Sequence, residues 1–207
     1  MAKINGLELK NIKESISHDG CDIYKADVYL DDKLIIQWTQ DYMNGMDQFT
    51  MKEDYDLDKL WEKIRINNKD VTDCFNRNEE NEKAPWEYTD ARLGLACMLA
   101  SLVDLTIWEK GFQIAQEKNC NLGIALFPHD EYYFHIPKDV SESEARVQML
   151  KFDINRFGYT ATNYFLFQRP DDFDIYKPIK LSEISLMKDR EEKVVKRKKS
   201  KIQDRER

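Results

Sequence analysis

The chain has 207 residues, 42% of them apolar and 34% charged, with a formal net charge of −7. That apolar content excludes a disordered polymer, the charge density excludes a membrane-embedded protein, and the length suits one sizeable core. Charge is unevenly spread: residues 188–207 hold six Lys and four Arg against five acids, a local +5, which leaves −12 on residues 1–187.

Residues 1–51 read as an antiparallel β-meander. A first strand lies near Ile4 to Leu9, and His18-Asp19-Gly20 makes the loop that follows. In Tyr24 to Leu30 the even positions are apolar and the odd ones carry Lys25, Asp27 and Tyr29, the period-2 pattern of a half-buried strand. Asp31-Asp32 turns the chain into the β-forming run Leu34 to Trp38, and Asn44-Gly45 precedes a fourth strand at Met46 to Met51.

Residues 52–89 switch period. Leu57, Leu60, Trp61 and Ile64 make one apolar stripe on a short helix, with Asp56 and Asp58 at its positive dipole end. Residues 67 to 89 are polar and acidic and predict a surface connection.

From Asp90 to Lys118 the pattern predicts one long helix, or two with a bend near Gly94 or Gly111. Leu93 to Val103 is apolar all round and central to the core, and Leu105, Trp108, Phe112 and Ala115 continue as a stripe. That uncharged run is about half of the ~20 residues that a bilayer-spanning helix needs. Leu122 to Phe127 and Glu131 to Ile136 flank Pro128-His129-Asp130 as a hairpin. Ser141 and Glu144 form a capping-box signature for a helix over 142–157, whose apolar residues Val147, Leu150, Ile154 and Phe157 recur at helical spacing up to Gly158. Asn163 to Phe167 is a buried strand that ends at Arg169-Pro170, and residues 171–174 fall in a loop. Strands in blocks, without alternating βαβ units, indicate an α+β fold with a mainly antiparallel sheet. The organisation is one domain over 1–187, in sections 1–51, 52–89 and 90–187, followed by a charged, net basic tail over 188–207.

The opening MAKINGLELK lacks the apolar run of a secretory signal, so a cytoplasmic location and no membrane association are expected. Cys21, Cys74, Cys97 and Cys120 show no C-x-x-C pair, which suits reduced thiols, with Cys97 packed in the core.

Familiar chemistry is missing. The seven glycines form neither a P-loop nor a dinucleotide-binding fingerprint, and no G-x-S-x-G surrounds a serine, so no cofactor is expected. Only His18, His129 and His135 are present, and the last two bracket a hairpin at a spacing that matches no zinc pattern. Asp171, Asp172 and Asp174 with Lys177 suggest the carboxylates of a metal-dependent hydrolase, but a loop does not hold such groups rigidly. Trp61 and Trp108 lie on apolar stripes and belong to the core. Trp86, beside Pro85 in the acidic connection, is the candidate aromatic anchor of an interface. Lys196, Arg197, Lys198 and Lys199 in the tail are candidate phosphate contacts, which attract nucleic acid without reading its sequence.

The run Leu7-x-Leu9-Lys10-Asn11-Ile12, then His18-Asp19-Gly20, then Tyr24-x-Ala26-x-Val28-Tyr29-Leu30-Asp31 with Lys33, Trp38 and Asp41 is similar to the opening of small proteins of bacterial phages and mobile elements. The C-terminal order of helix, hairpin, helix and strand is similar to theirs by layout. The resemblance carries no catalytic residues. It implies a small binding protein in a bacterial cell, of a class that includes inhibitors of host defence nucleases such as anti-CRISPR proteins. The expectation is therefore a non-enzymatic acidic protein that engages a basic groove on a host protein. Glu79, Glu80, Glu82, Trp86 and Glu87 form the first candidate patch, and Asp54, Asp56 and Asp58 the second.

Overall fold

The computed structural model describes residues 1–18, 20, 22–40, 47–52, 55–68, 88–127, 130–161, 163–175 and 181–184. Its elements are β1 (Lys3–Ile4), β2 (Leu7–Ile16), β3 (Asp22–Leu30), β4 (Lys33–Thr39), β5 (Gln48–Met51), α1 (Leu57–Asn68) and α2 (Ala91–Glu117). They continue as β6 (Cys120–Leu126), β7 (Glu131–Pro137), α3 (Glu142–Phe157), β8 (Asn163–Phe167), a 3-10 turn at Pro170–Phe173, β9 (Asp174–Ile175) and α4 (Leu181–Ile184). The fold is α+β, with an N-terminal antiparallel meander and a long central helix.

The strands divide into two sheets where one was expected. The larger runs β5-β4-β3-β2-β1-β9 and the smaller β7-β6-β8. Among the described residues only the β1 and β9 pairing is parallel, with Lys3 opposite Asp174 and Ile4 opposite Ile175. Residues 171–174, expected as a loop, thus form the 3-10 turn and the start of an edge strand.

The expected first strand is itself a hairpin. Asn5 and Gly6 both have positive φ, 53° and 80°, so they form the two-residue turn that matches strand twist and joins β1 to β2. Asp31 and Asp32, at 51° and 59°, make the same kind of turn between β3 and β4. Within β4, Val28 pairs with Ile36 but Tyr29 with Leu34, so Ile35 is the extra residue of a bulge. The bulge lets the adjacent Ile35 and Ile36 both enter the core.

One contiguous core joins the inner face of the larger sheet, α1, α2 and one face of β6. From the larger sheet come Ile4, Leu7, Leu9, Val28, Leu30, Ile36 and Trp38, and from α1 Leu60, Trp61 and Ile64. By length and composition α2 could cross a membrane; its Leu95, Leu99, Leu102, Leu105, Trp108 and Phe112 are buried in this core. Asp90 caps the helix by accepting from the backbone N–H groups of Arg92 and Leu93 at 2.9 and 3.0 Å. There is no break at either glycine. Gly94 is needed because the Trp61 ring lies against it, so that no side chain fits. Cys97 is half-buried on α2 and lies outside the core cluster where it was expected, whereas the half-buried Cys120 packs against it.

Strand β6 is buried on both faces. Leu122, Ile124 and Leu126 meet the α2 side, while Gly123 and Ala125 meet α3. Helix α3 carries the expected capping box, and Gly158 ends it in the left-handed conformation at φ 76°. Its buried face is not the expected one. Ala145, Met149 and Asp153 are buried, whereas Val147, Leu150 and Ile154 are exposed. Small Gly123 and Ala125 on β6 let α3 approach closely, and a Cβ at Gly123 would sit 2.7 Å from Met149 Sδ. Asp153 is tolerated inside because one of its oxygens accepts from the Tyr164 hydroxyl at 2.5 Å and the Ala161 N–H at 3.3 Å.

Candidate functional site

The two positive-φ turns lie side by side at one end of the larger sheet, since Leu7 pairs with both Ile4 and Leu30. Strand β9 adds Asp174 beside Lys3 at the same end. Between them is a cavity of about 270 Å³, bordered by Glu8, Tyr29, Asp31, Asp32 and Asp174 together with Lys3 and Gly6. Four of the residues that border it carry carboxylates.

Glu8 sets the chemistry of this cleft. It lies on the outer face of β2 opposite Tyr29, yet it is only 6% exposed. Its Oε1 receives no hydrogen bond, and its nearest cation is Lys10 Nζ at 3.7 Å. The same ammonium stands 3.6 Å from Asp32 Oδ1 and 4.6 Å from the centre of the Tyr29 ring. Lys10 is thus a resident cation held by charge and a ring face, at separations longer than a direct hydrogen bond. Asp32 is 93% exposed on its side chain, so its share of that attraction is strongly screened.

The remaining groups around the cleft fix its walls. Asp31 Oδ2 accepts from the Leu181 N–H at 2.9 Å, which ties the start of α4 to the turn. The Asn5 backbone N–H donates to Ile175 O at 2.9 Å, while both polar atoms of its buried side chain lack partners. A buried carboxylate oxygen without a donor is costly unless something charged or polar comes to it. Such a set of groups is chemically suited to a guanidinium or ammonium group.

Beside the cleft, the outer face of the larger sheet forms an open polar groove of about 660 Å³. Asn11 Nδ2 and Gln37 Nε2 donate to the two oxygens of Asp27 at 2.8 and 3.3 Å, and Lys13 and Lys25 flank them. On the smaller sheet Glu131 accepts from Trp108 Nε1 at 3.0 Å and from the Tyr133 hydroxyl. Burial first, and then the Glu131 hydrogen bond, pushes the Tyr133 hydroxyl well above the usual phenol range.

The residues singled out from sequence fare unevenly. Asp54, Glu79, Glu80, Glu82, Trp86 and Glu87 lie outside the described residues, as do His129, Lys177, Lys196, Arg197, Lys198 and Lys199. Asp56 is taken up in local structure. Its Oδ1 accepts from the N–H groups of Asp58 and Lys59 at 3.0 and 3.2 Å, and its own N–H reaches Ile184 O at 3.4 Å. Asp58 is exposed in the first turn of α1. Asp172 is likewise committed, accepting from the backbone N–H groups of Gln168 and Arg169 at 2.8 and 2.9 Å. Asp171 and His135 are exposed, and among the described residues no three His, Cys, Asp or Glu side chains are grouped to hold a metal ion. Asp174, singled out from sequence with Asp171 and Asp172, instead borders this cleft beside Lys3. Glu8 was missed from sequence; the signal that leads to it is Asn5-Gly6 between Ile4 and Leu7, a hairpin turn that places Glu8 at the sheet's end.

In comparisons with known proteins, no family model, no curated protein and no solved structure matches the chain.

Proposed function

We propose that the chain is a non-enzymatic binding protein that presents acidic surface to a basic groove on a host protein. Following the N-terminal resemblance, the reading places it among phage or mobile-element proteins that restrain a nucleic-acid-processing or defence enzyme, such as a CRISPR nuclease, in the bacterial cytosol. The observation that carries it is Glu8: a buried carboxylate with an unshared oxygen at the floor of a cleft edged by Asp31, Asp32 and Asp174. The net charge of −12 on residues 1–187 draws a basic partner from a distance, and the cleft offers one of its cationic side chains a place to dock.

A pull-down from bacterial lysate, read by mass spectrometry, tests this with the wild-type chain and a Glu8→Gln, Asp32→Asn, Asp174→Asn variant. A basic nuclease or polymerase recovered in stoichiometric amount by the first, lost by the second and lost on adding salt, supports the reading. Equal recovery by both chains removes the cleft from it. Charge reversal at Glu79, Glu80, Glu82, Glu87, Asp54 and Asp58 tests the two patches singled out from sequence in the same way.

A second reading rests on the local +5 of residues 188–207, which would contact nucleic acid phosphates through Lys196, Arg197, Lys198 and Lys199. Deleting residues 188–207 and repeating a nucleic acid binding assay at two salt concentrations decides it. A phosphate contact weakens with salt and disappears with the tail.

A further inference from the structure

Helix α3 leaves an apolar stripe on the side opposite its buried face. Val147, Leu150 and Ile154 are 46%, 37% and 51% exposed, spaced by three and four residues. Ser143 before them keeps the same alternation, so the outward face reads as a 4-3-4 seam, while Phe157 after them turns inward against Phe127 and Tyr132. Singly exposed apolar residues are ordinary; a continuous seam on one helix is an interaction surface. The capping box at Ser141 and the left-handed Gly158 fix both ends, so the stripe is already ordered before it meets anything.

We infer that this stripe pairs two copies of the chain, helix against helix, antiparallel about a two-fold axis that passes between Gln148 and Met149. The charges along one edge of the seam select both the occupant and the direction. Glu144 and Lys151 stand seven residues apart on that edge and line, with Ser143, Val147 and Gln148, a groove of about 440 Å³. In the antiparallel pair Val147 meets Leu150 of the second copy, Ser143 meets its Ile154, and Glu144 of each copy faces Lys151 of the other. A parallel pair would instead set Arg146 of each copy, which also holds its own Glu142 at 2.9 Å, against Lys151 of the other, two like-charge contacts with no opposite charge across the seam to offset them. The surface is therefore complementary to itself in one orientation, which is what a closed isologous dimer requires. This pairing is independent of the acidic cleft, which lies on the other sheet.

Sedimentation equilibrium of the full chain, from micromolar to near-millimolar concentration, tests it. The expected mass rises from 24.7 kDa toward twice that value. Leu150→Glu should hold the chain at the monomer mass, and Lys151→Glu, which opposes Glu144 with a like charge, should weaken association about tenfold or more. Lys110→Glu on α2 makes the same charge change away from the seam and should leave association unaltered, with circular dichroism showing all variants folded. A wild-type chain that stays monomeric throughout overturns the proposal and leaves the stripe to a different protein. So does a dimer indifferent to Leu150→Glu, which would place the contact elsewhere.

Discussion

Replacing Gly94 and Gly111 by alanine, one at a time, tests how α2 is seated between its neighbours. In an exposed helix either change stabilises by about 1 kcal/mol, because glycine loses more backbone freedom on folding than alanine does. At Gly111 an added Cβ meets Leu122 Cδ2 at 3.5 Å and Tyr133 Cε1 at 3.6 Å, ordinary contact distances. The gain should survive there, at about 0.5–1 kcal/mol. At Gly94 the same atom falls within the indole of Trp61, 2.5 Å from Cη2 and closer still to Cζ2 and Cε2. The ring cannot swing aside cheaply: Trp61 is fully buried, and its Nε1 donates to Tyr88 O at 3.0 Å. Overpacking costs about 1–3 kcal/mol and the strained indole hydrogen bond about 1 more, against the ~1 regained in helix propensity. Gly94→Ala should therefore destabilise by about 1–3 kcal/mol, lowering Tm by roughly 2–12 °C for a domain of this size. Urea unfolding followed by tryptophan fluorescence, with thermal melts alongside, measures both variants. Equal stabilisation by the two substitutions would refute the close approach of Trp61 as the reason for glycine at position 94.

Three other perturbations have definite signs. Tyr164→Phe should cost about 1–3 kcal/mol in denaturant unfolding, because it leaves the buried Asp153 carboxylate with only the Ala161 N–H. Burial, and then the Asp153 hydrogen bond, pushes the Tyr164 hydroxyl up to about 12, above its unfolded value near 10. Its contribution is thus whole below pH ~10 and lost between about 10 and 12, so the same variant should show a shallower alkaline decline. Hydrogen bonds from the Ser141 side chain and then its backbone hold the Glu144 carboxyl below the usual range. That stabilisation is present above the unfolded value near 4.3 and lost as pH falls through the folded one, so first-turn amides of α3 should lose protection, relative to their intrinsic exchange rates, in acid. Ser141→Ala should cost about 1 kcal/mol at neutral pH. Asp32→Gly turns Asp-Asp into the favoured Asp-Gly pair for its turn and should raise stability by about 0.5–1 kcal/mol; an unchanged or lower midpoint would show that the Lys10 contact outweighs backbone relief.

The backbone plan was largely legible because local patterns and tertiary demands agree. Tyr24 to Leu30 alternates and lies as a half-buried strand, and the stripes on α1 and the second half of α2 are the buried ones. Helix α3 defeated the same logic. Two sets of residues satisfy its period, and the larger side chains Val147, Leu150 and Ile154 lost to Ala145 and Met149, which fit against Gly123 of β6. Nothing in the helix alone says that its receiving strand is built from small residues. The candidate cleft was illegible for a related reason. Glu8 sits at an alternation position that reads as solvent-facing, yet it is buried, with Lys10 Nζ 3.7 Å away and Asp174, 166 residues later, bordering the same cleft. The acidic patches chosen from composition were visible as charge, but a carboxylate such as Asp56 or Asp172 that caps a turn has its oxygens already engaged.

The parallel contact between Lys3–Ile4 and Asp174–Ile175 has a consequence for how the molecule is made. A ribosome adding about 5–20 residues each second releases β9 roughly 10–35 s after β1. Through that interval the meander's outer rim is unoccupied, and an exposed rim is where a growing chain meets its neighbours. With only two residues, β1 offers a stranger very little to grip. The cleft beside Glu8 gains its last wall at the same moment, so it is complete only after residue 174 has been added.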